Sequence, residues 1–352
     1  MTLQHNLSGI STEGRSVNMT DKQFSHTQTA HCESGVISNL FRHNGLEISE
    51  PMAFGIGAGI FFAHLPFVKV NGVPGTTYRI WPGAIFKRVC KRLGVKVQVK
   101  QYANPKQAMD DLDAVVGAGI PVGLLSSVYY LPYFPPSYRF HFNAHNLVVY
   151  GKNGENYQVS DPVMDTVTEI DPESLIQARF AKGFPEPKGK MYYPIHMPHK
   201  VSLQKPIIEG IKQTCHYMLK IPLPMFGVKG MHFLANRLRK YPEKVGDRKA
   251  TLYLGNIIRM QEEIGTGGAG FRFMYAAFLQ EAATILQKEE LSTLATELTQ
   301  IGDLWRNFAF NAGRVCKSRS TDNVSYTQLS EMLIQCAVEE EKLFKRLAKV
   351  QL

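Results

Sequence analysis

Near residue 200 the apolar residues change their period, and that change divides the fold. From about Val201 onward, segments starting at Pro206, Gly230, Lys249, Gly270, Glu289 and Tyr326 carry apolar residues at helical spacing. Phe271, Met274, Tyr275, Phe278, Leu279 and Ala282, for example, keep the i, i+3, i+4, i+7, i+8 pattern that lays an apolar stripe along one helix face. Between about Thr27 and Met197 short helix-like and β-like runs alternate with turn residues instead. Val115 to Ser127 reads as a buried strand entered through Gly119-Ile120-Pro121. Leu147–Gly151 and Tyr157–Asp161 flank Asn153-Gly154, a strong hairpin signal. A Pro/Gly-rich connection, residues 184–189, precedes a β-like run from Met191 to Ile195. The expected architecture is an α+β domain over residues 27–200 and an all-α domain over 201–352. The polar stretch 1–26 is expected to be a flexible tail.

A chain of 352 residues with 44% hydrophobic content has ample material for packed cores. No stretch approaches the roughly 18 consecutive apolar residues of a membrane helix. The start lacks the basic and apolar run of a secretory signal. Five cysteines, Cys32, Cys90, Cys215, Cys316 and Cys336, are scattered without a CxxC pair, which argues for reduced thiols in the cytoplasm and against a disulfide framework or a metal site. The net charge of +10 suits an acidic partner: nucleic acid, anionic lipid or an acidic protein. No helix-turn-helix, RNA-recognition or zinc pattern supports nucleic acid.

One cysteine stands apart. His31-Cys32-Glu33-Ser34-Gly35 precedes a run in which Val36, Ile37, Leu40 and Phe41 share a helical face, so Cys32 falls at a helix start. Unpaired amide groups and the helix dipole there stabilise a thiolate, the reactive form of cysteine; the alternative is a buried structural thiol. A nucleophile also needs a base and a group that orients the base. Folding the hairpin about Asn153-Gly154 brings His145 and Asp161 opposite each other at its open end, within one residue of register, where a carboxylate can hold the imidazole. The order Cys, then His on a strand, then Asp on the next, is papain-like.

Those residues carry a resemblance. His31-Cys32-Glu33-Ser34-Gly35 with Asn39-Leu40, Ser49-Glu50 with Phe54-Gly55-Ile56-Gly57, His145 through Gly151 and Ser160-Asp161-Pro162 resemble the butirosin biosynthesis protein H family. Gly265 to Gly268 and Phe271 to Ala283 resemble its accompanying helical domain. The resemblance implies a papain-like cysteine-protease fold adapted to acyl transfer; no cofactor or metal is expected. Cys32 would take an acyl group from an acidic acyl carrier protein, His145 would serve as base and acid, and Asp161 would orient it; a small amine would accept the acyl group. A cysteine peptidase or amidase using the same site, and a non-catalytic binding protein, are the alternatives.

Further residues are candidates for substrate binding. Glu50 opens a helix capped by Ser49 and is a candidate to face the site. Gly55-Ile56-Gly57-Ala58-Gly59 lacks dinucleotide-loop spacing and reads as packing. Gly265-Thr266-Gly267-Gly268-Ala269-Gly270 precedes a helix and either holds an anion with Arg272 or lets two helices pack. Tyr129, Tyr130, Tyr133, Phe134 and Tyr138 form an aromatic cluster, with Tyr130 a candidate for a pocket lip. His141 is the rival base, and His31 ranks behind it.

Overall fold

The computed structural model describes residues 23–70, 72–317 and 324–352. The expected tail over 1–22 lies outside the described residues. Its last part docks: Phe24 stacks on Tyr150 with ring centroids 4.9 Å apart, and His26 Nδ1 lies 2.7 Å from Ser160 Oγ.

The chain begins with α1 (Cys32–His43) and α2 (Glu50–Ile56), then a hairpin of β1 (Ile60–Val70) and β2 (Val73–Arg79). α3 (Ala84–Leu93), β3 (Lys96–Lys100), α4 (Pro105–Gly117), β4 (Val122–Ser126), β5 (His145–Asn153), β6 (Asn156–Ser160) and β7 (Thr168–Ile170) follow. After α5 (Pro172–Arg179), β8 (Met191–His196) closes the β-containing part. The rest is α6 (Gln204–Leu219), α7 (Gly227–Leu238), α8 (Tyr241–Val245), α9 (Asp247–Glu262), α10 (Arg272–Leu286), α11 (Glu289–Cys316) and α12 (Tyr326–Leu347). Each of the six segments with helical spacing is a helix. The last starts at a capping box, in which Ser325 and Gln328 satisfy each other's backbone N–H groups.

Six strands form one antiparallel sheet in the order β3-β8-β4-β5-β6-β7. Alternate residues of its central strands bury on opposite faces. Val148 and Tyr192 join α1 and α3 in one apolar core, while Leu147, Val149, Leu124 and Val159 join Leu112 of α4 and Leu175 of α5 in another. With both faces covered, β4 and β5 read as near-continuous apolar runs. Val115 to Gly117 finish α4 rather than begin a strand. Asn104, whose side chain accepts the Gln107 N–H, and Pro105 in the first turn start a helix early enough to use them.

The expected boundary at 200 does not separate two cores. The larger core contains Val36 and Phe41 of α1, Phe54 of α2 and Phe62 of β1 together with Met231, Phe278, Leu298, Trp305 and Phe344 of the helices. The β1–β2 hairpin pairs outside the main sheet and sits among these helices, where Phe62 meets Tyr78 and Trp305. The glycines after Phe54 serve packing: a Cβ on Gly55 would stand 2.1 Å from the Phe278 ring. Inside the helical part Glu340 accepts two bonds from Arg272, at 2.7 and 2.9 Å, and one from Trp305 Nε1 at 2.5 Å, all fully buried.

Candidate active site

Cys32 is the first residue of α1, behind a His31 N-cap in extended conformation. His31 Nδ1 accepts the Ser34 N–H, and the first-turn N–H groups of Cys32 and Glu33 have no acceptor within the helix. Two contacts fix the chain leading into this turn. Glu50, in the first turn of α2, accepts the Ala30 N–H at 3.0 Å on one oxygen and the His31 N–H at 2.6 Å on the other. Gly35 lets α1 press against the segment that carries Asp161, since a Cβ there would stand 2.0 Å from Thr29 Oγ1 and 2.7 Å from Pro162 Cβ. The helical part also reaches this point: Phe271 packs edge-on to His31, centroids 5.2 Å apart, and stacks on Phe54.

His145 opens β5 and Asp161 follows the last residue of β6. Their side chains meet, with His145 Nε2 2.7 Å from Asp161 Oδ2 and both groups buried. The register that achieves this differs from the expected one. Asn153 pairs with Asn156, so the tight turn is Gly154-Glu155, one residue later than the sequence suggests. Continued unbroken, that pairing would put Asp161 across from Val148 and on the face opposite His145. A bulge between Val149 and Gly151 shifts the register by one, so that Val148 pairs with Ser160 and Asp161 falls across from Leu147. One step of register moves a side chain to the other face of a sheet, so the bulge at Tyr150 aligns the imidazole with the carboxylate.

With Nε2 bonded to Asp161, Nδ1 is the ring nitrogen left for the thiol. Burial alone would raise the Cys32 pKa, but hydrogen bonding to His145, the positive charge there, the Asn146 backbone N–H and the Arg79 charge together lower it below the ordinary thiol value. Burial would likewise depress His145, yet Asp161, first through its charge and then its hydrogen bond, and Cys32 after it, raise His145 to about 10. The pair therefore favours thiolate and imidazolium. Burial instead pushes Cys90 and Cys215 up to about 12 and raises Cys316 and Cys336 as well. All five thiols are free, and Cys32 alone among them is lowered.

Four residues of the site were not singled out as site residues by the sequence. Tyr133 donates to Asp161 Oδ2 at 2.8 Å from a loop 28 residues upstream. Asn146 places Nδ2 3.9 Å from Cys32 Sγ while its Oδ1 accepts from the Tyr192 hydroxyl at 2.7 Å. Arg79, at the base of β2, grips both neighbours of the nucleophile: it contacts His31 Nε2 and pairs with Glu33 at 2.5 Å. Only the aromatic cluster pointed toward Tyr133.

The structure does not bring the expected binding residues to the thiol. Glu50 spends both carboxylate oxygens on backbone N–H groups, so it positions the nucleophile's segment. His141 is exposed and stacks on Tyr129 at 4.0 Å, while the Asp161 partner is His145. Tyr130 is half-buried and packs edge-on to Tyr129, against the second core. Arg272 is fully buried on Glu340, and the glycine loop before it holds a carboxylate of the chain itself, the Ala269 N–H lying 3.2 Å from Glu262 Oε1. That loop packs on Ala30: a Cβ on Gly265 would stand 3.2 Å from the Ala30 carbonyl oxygen.

A cysteine at a helix start, a histidine opening one strand and an aspartate just past the end of the next make a papain-like arrangement in an α+β fold, followed by helices. Among the described residues no group of His, Cys, Asp and Glu could hold a metal, and no helix is long and apolar enough to cross a membrane. Residues 31–162 match the family described as butirosin biosynthesis protein H, N-terminal, and residues 173–347 match one described as domain of unknown function DUF4872. A solved structure described as a C39-like peptidase from Bacillus anthracis is similar at 16% identity with a TM-score of 0.35, over 50% of this chain and 96% of that chain. No curated protein matches.

Proposed function

We propose, on the premise that residues 31–162 belong to the butirosin biosynthesis protein H N-terminal family, that this chain is an acyltransferase in a biosynthetic pathway. Cys32 takes an acyl group from the thioester of an acyl carrier protein and passes it to an amine. The observation that carries the reading is the buried Cys32–His145–Asp161 set, poised as thiolate and imidazolium.

The thiolate attacks the carrier thioester, and the carrier thiol leaves with the His145 proton. The exchange replaces one thioester by another, so little driving force is needed and the protein need only position and deprotonate. The first-turn N–H of Cys32 and Asn146 Nδ2 are the nearest donors for the oxyanion. A neutral amine then attacks the acyl-cysteine, His145 removes its proton, and the Cys32 thiolate departs. Asp161 keeps Nε2 occupied so that Nδ1 faces the reacting atoms. Burial of Cys32, only 7% exposed, supports amine over water as the acceptor. The +10 net charge supports an acidic carrier, and five unpaired thiols support the cytoplasm.

Intact-protein mass spectrometry after incubation with acyl-loaded carrier tests the reading. Wild type gains the acyl mass, Cys32→Ala does not, and an added amine discharges the adduct into an amide. Release of free acid whether or not amine is present would replace transferase with hydrolase.

A further inference from the structure

Away from the thiol, a cavity of about 260 Å³ opens between the distal half of the β1–β2 hairpin and helices α7, α8 and α9. Lys69, Arg237, Lys240 and Lys244 line it, and no lining residue is acidic. None of these four cations makes an ion pair with a carboxylate among the described residues. Arg237 Nε is buried with no hydrogen-bond partner. Four like charges around one concavity, none paired with a carboxylate among the described residues, repel one another.

The walls between the cations are aromatic. Arg237 lies over the Phe233 ring at 5.5 Å, and Lys69 over Tyr253 at 4.8 Å. Tyr241, also lining the cavity, is held in place beneath it: its hydroxyl lies 3.2 Å from His64 Nε2, whose Nδ1 lies 2.9 Å from Thr76 Oγ1. Burial first, and then the charges of Arg237 and Lys69, lower His64 to about 4. A concave site with aromatic walls and convergent charges of one sign is built for a ligand of the opposite sign.

We infer that this cavity is a binding site for a small organic anion, a flat apolar body bearing a carboxylate or phosphate head. The head meets Arg237, Lys240 and Lys244, and the body lies against Phe233 and Tyr253. The volume falls just below the usual range for drug-sized ligands, which limits the occupant to about one ring and its substituents. The site does not depend on the acyl-transfer reading, because none of its residues touches Cys32, His145 or Asp161.

Calorimetric titration of the full chain with phenyl phosphate, benzoate, inorganic phosphate and phenol in separate arms tests the inference. Phenyl phosphate or benzoate should bind with a Kd of about 1 mM or tighter, at least about tenfold tighter than phosphate or phenol, and the better of the two identifies the head group. The double variant Lys240→Glu, Lys244→Glu, both exposed positions, should weaken that binding at least about tenfold while alkylation of Cys32 proceeds at the wild-type rate. No saturable heat from either aryl anion up to roughly 10 mM overturns it, as does phenol or phosphate binding equally well, or a double variant that binds like wild type.

Discussion

Replacing Asp161 by Ala removes the group that holds the imidazolium. In the folded protein His145 rises from 6.5 to about 10, and the Asp161 carboxylate is the largest favourable cause. At about 1.36 kcal/mol per pH unit the rise amounts to roughly 5 kcal/mol. Cys32 supplies part of it, so loss of Asp161 should lower the His145 pKa and cut the thiolate at neutral pH by at least about tenfold. The signs set the window. The lowered Cys32 pKa means that thiolate is lost as pH falls through that value, while the raised His145 pKa means that imidazolium is lost as pH rises through about 10. The assay is the rate of carboxymethylation by iodoacetamide from pH 4 to 10, with Cys32 located by peptide mass spectrometry and the fold followed by circular dichroism. Wild type should react on a plateau that begins below the ordinary thiol pKa. Asp161→Ala should lose the plateau and climb only toward pH 9. Superimposable profiles from two folded proteins would refute the reasoning, because the pair would then owe nothing to the carboxylate.

Gly35→Ala should destabilise the protein by roughly 1–3 kcal/mol in urea titration and slow Cys32 alkylation, because the new methyl collides with Thr29 and Pro162. Glu340→Ala strands the buried Arg272 guanidinium and should cost about 3–5 kcal/mol in the same titration, much of it recovered when Arg272→Met is added. Tyr133→Phe removes one donor from Asp161 and should cost about 1–2 kcal/mol while leaving the alkylation pH window in place. A collapse of that window would instead make Tyr133 part of the proton-handling machinery.

The Cys32, His145 and Asp161 that the structure brings together were legible in the sequence because each has a local signature. Cys32 precedes an apolar helical face, and His145 and Asp161 bracket a hairpin. Their register was not legible. The tight turn falls at Gly154-Glu155 and the bulge at Tyr150, and a bulge depends on what the strand packs against rather than on a residue type. Arg79, Tyr133, Asn146 and Tyr192 come from separate elements brought together only by the tertiary fold. Arg272 misled for a related reason: a glycine-rich loop before a helix looks the same whether its N–H groups await a ligand or already hold Glu262. The core that spans residue 200 was not legible, because period distinguishes helix from strand but says nothing about which elements share a core.

β8 belongs by sequence to the segment matching the second family, yet it lies between β3 and β4, which belong to the first. A chain ending at residue 162 would keep β3 and β4 without the strand that joins them, leaving two open edges where there is now a continuous ladder. Neither segment can then be exchanged freely for a foreign partner, because the second must arrive with a strand of the right register. Inheritance of the two as a pair follows from the sheet itself, and a library that shuffles catalytic halves among relatives should cut before Cys32 or after Leu347 rather than between the families.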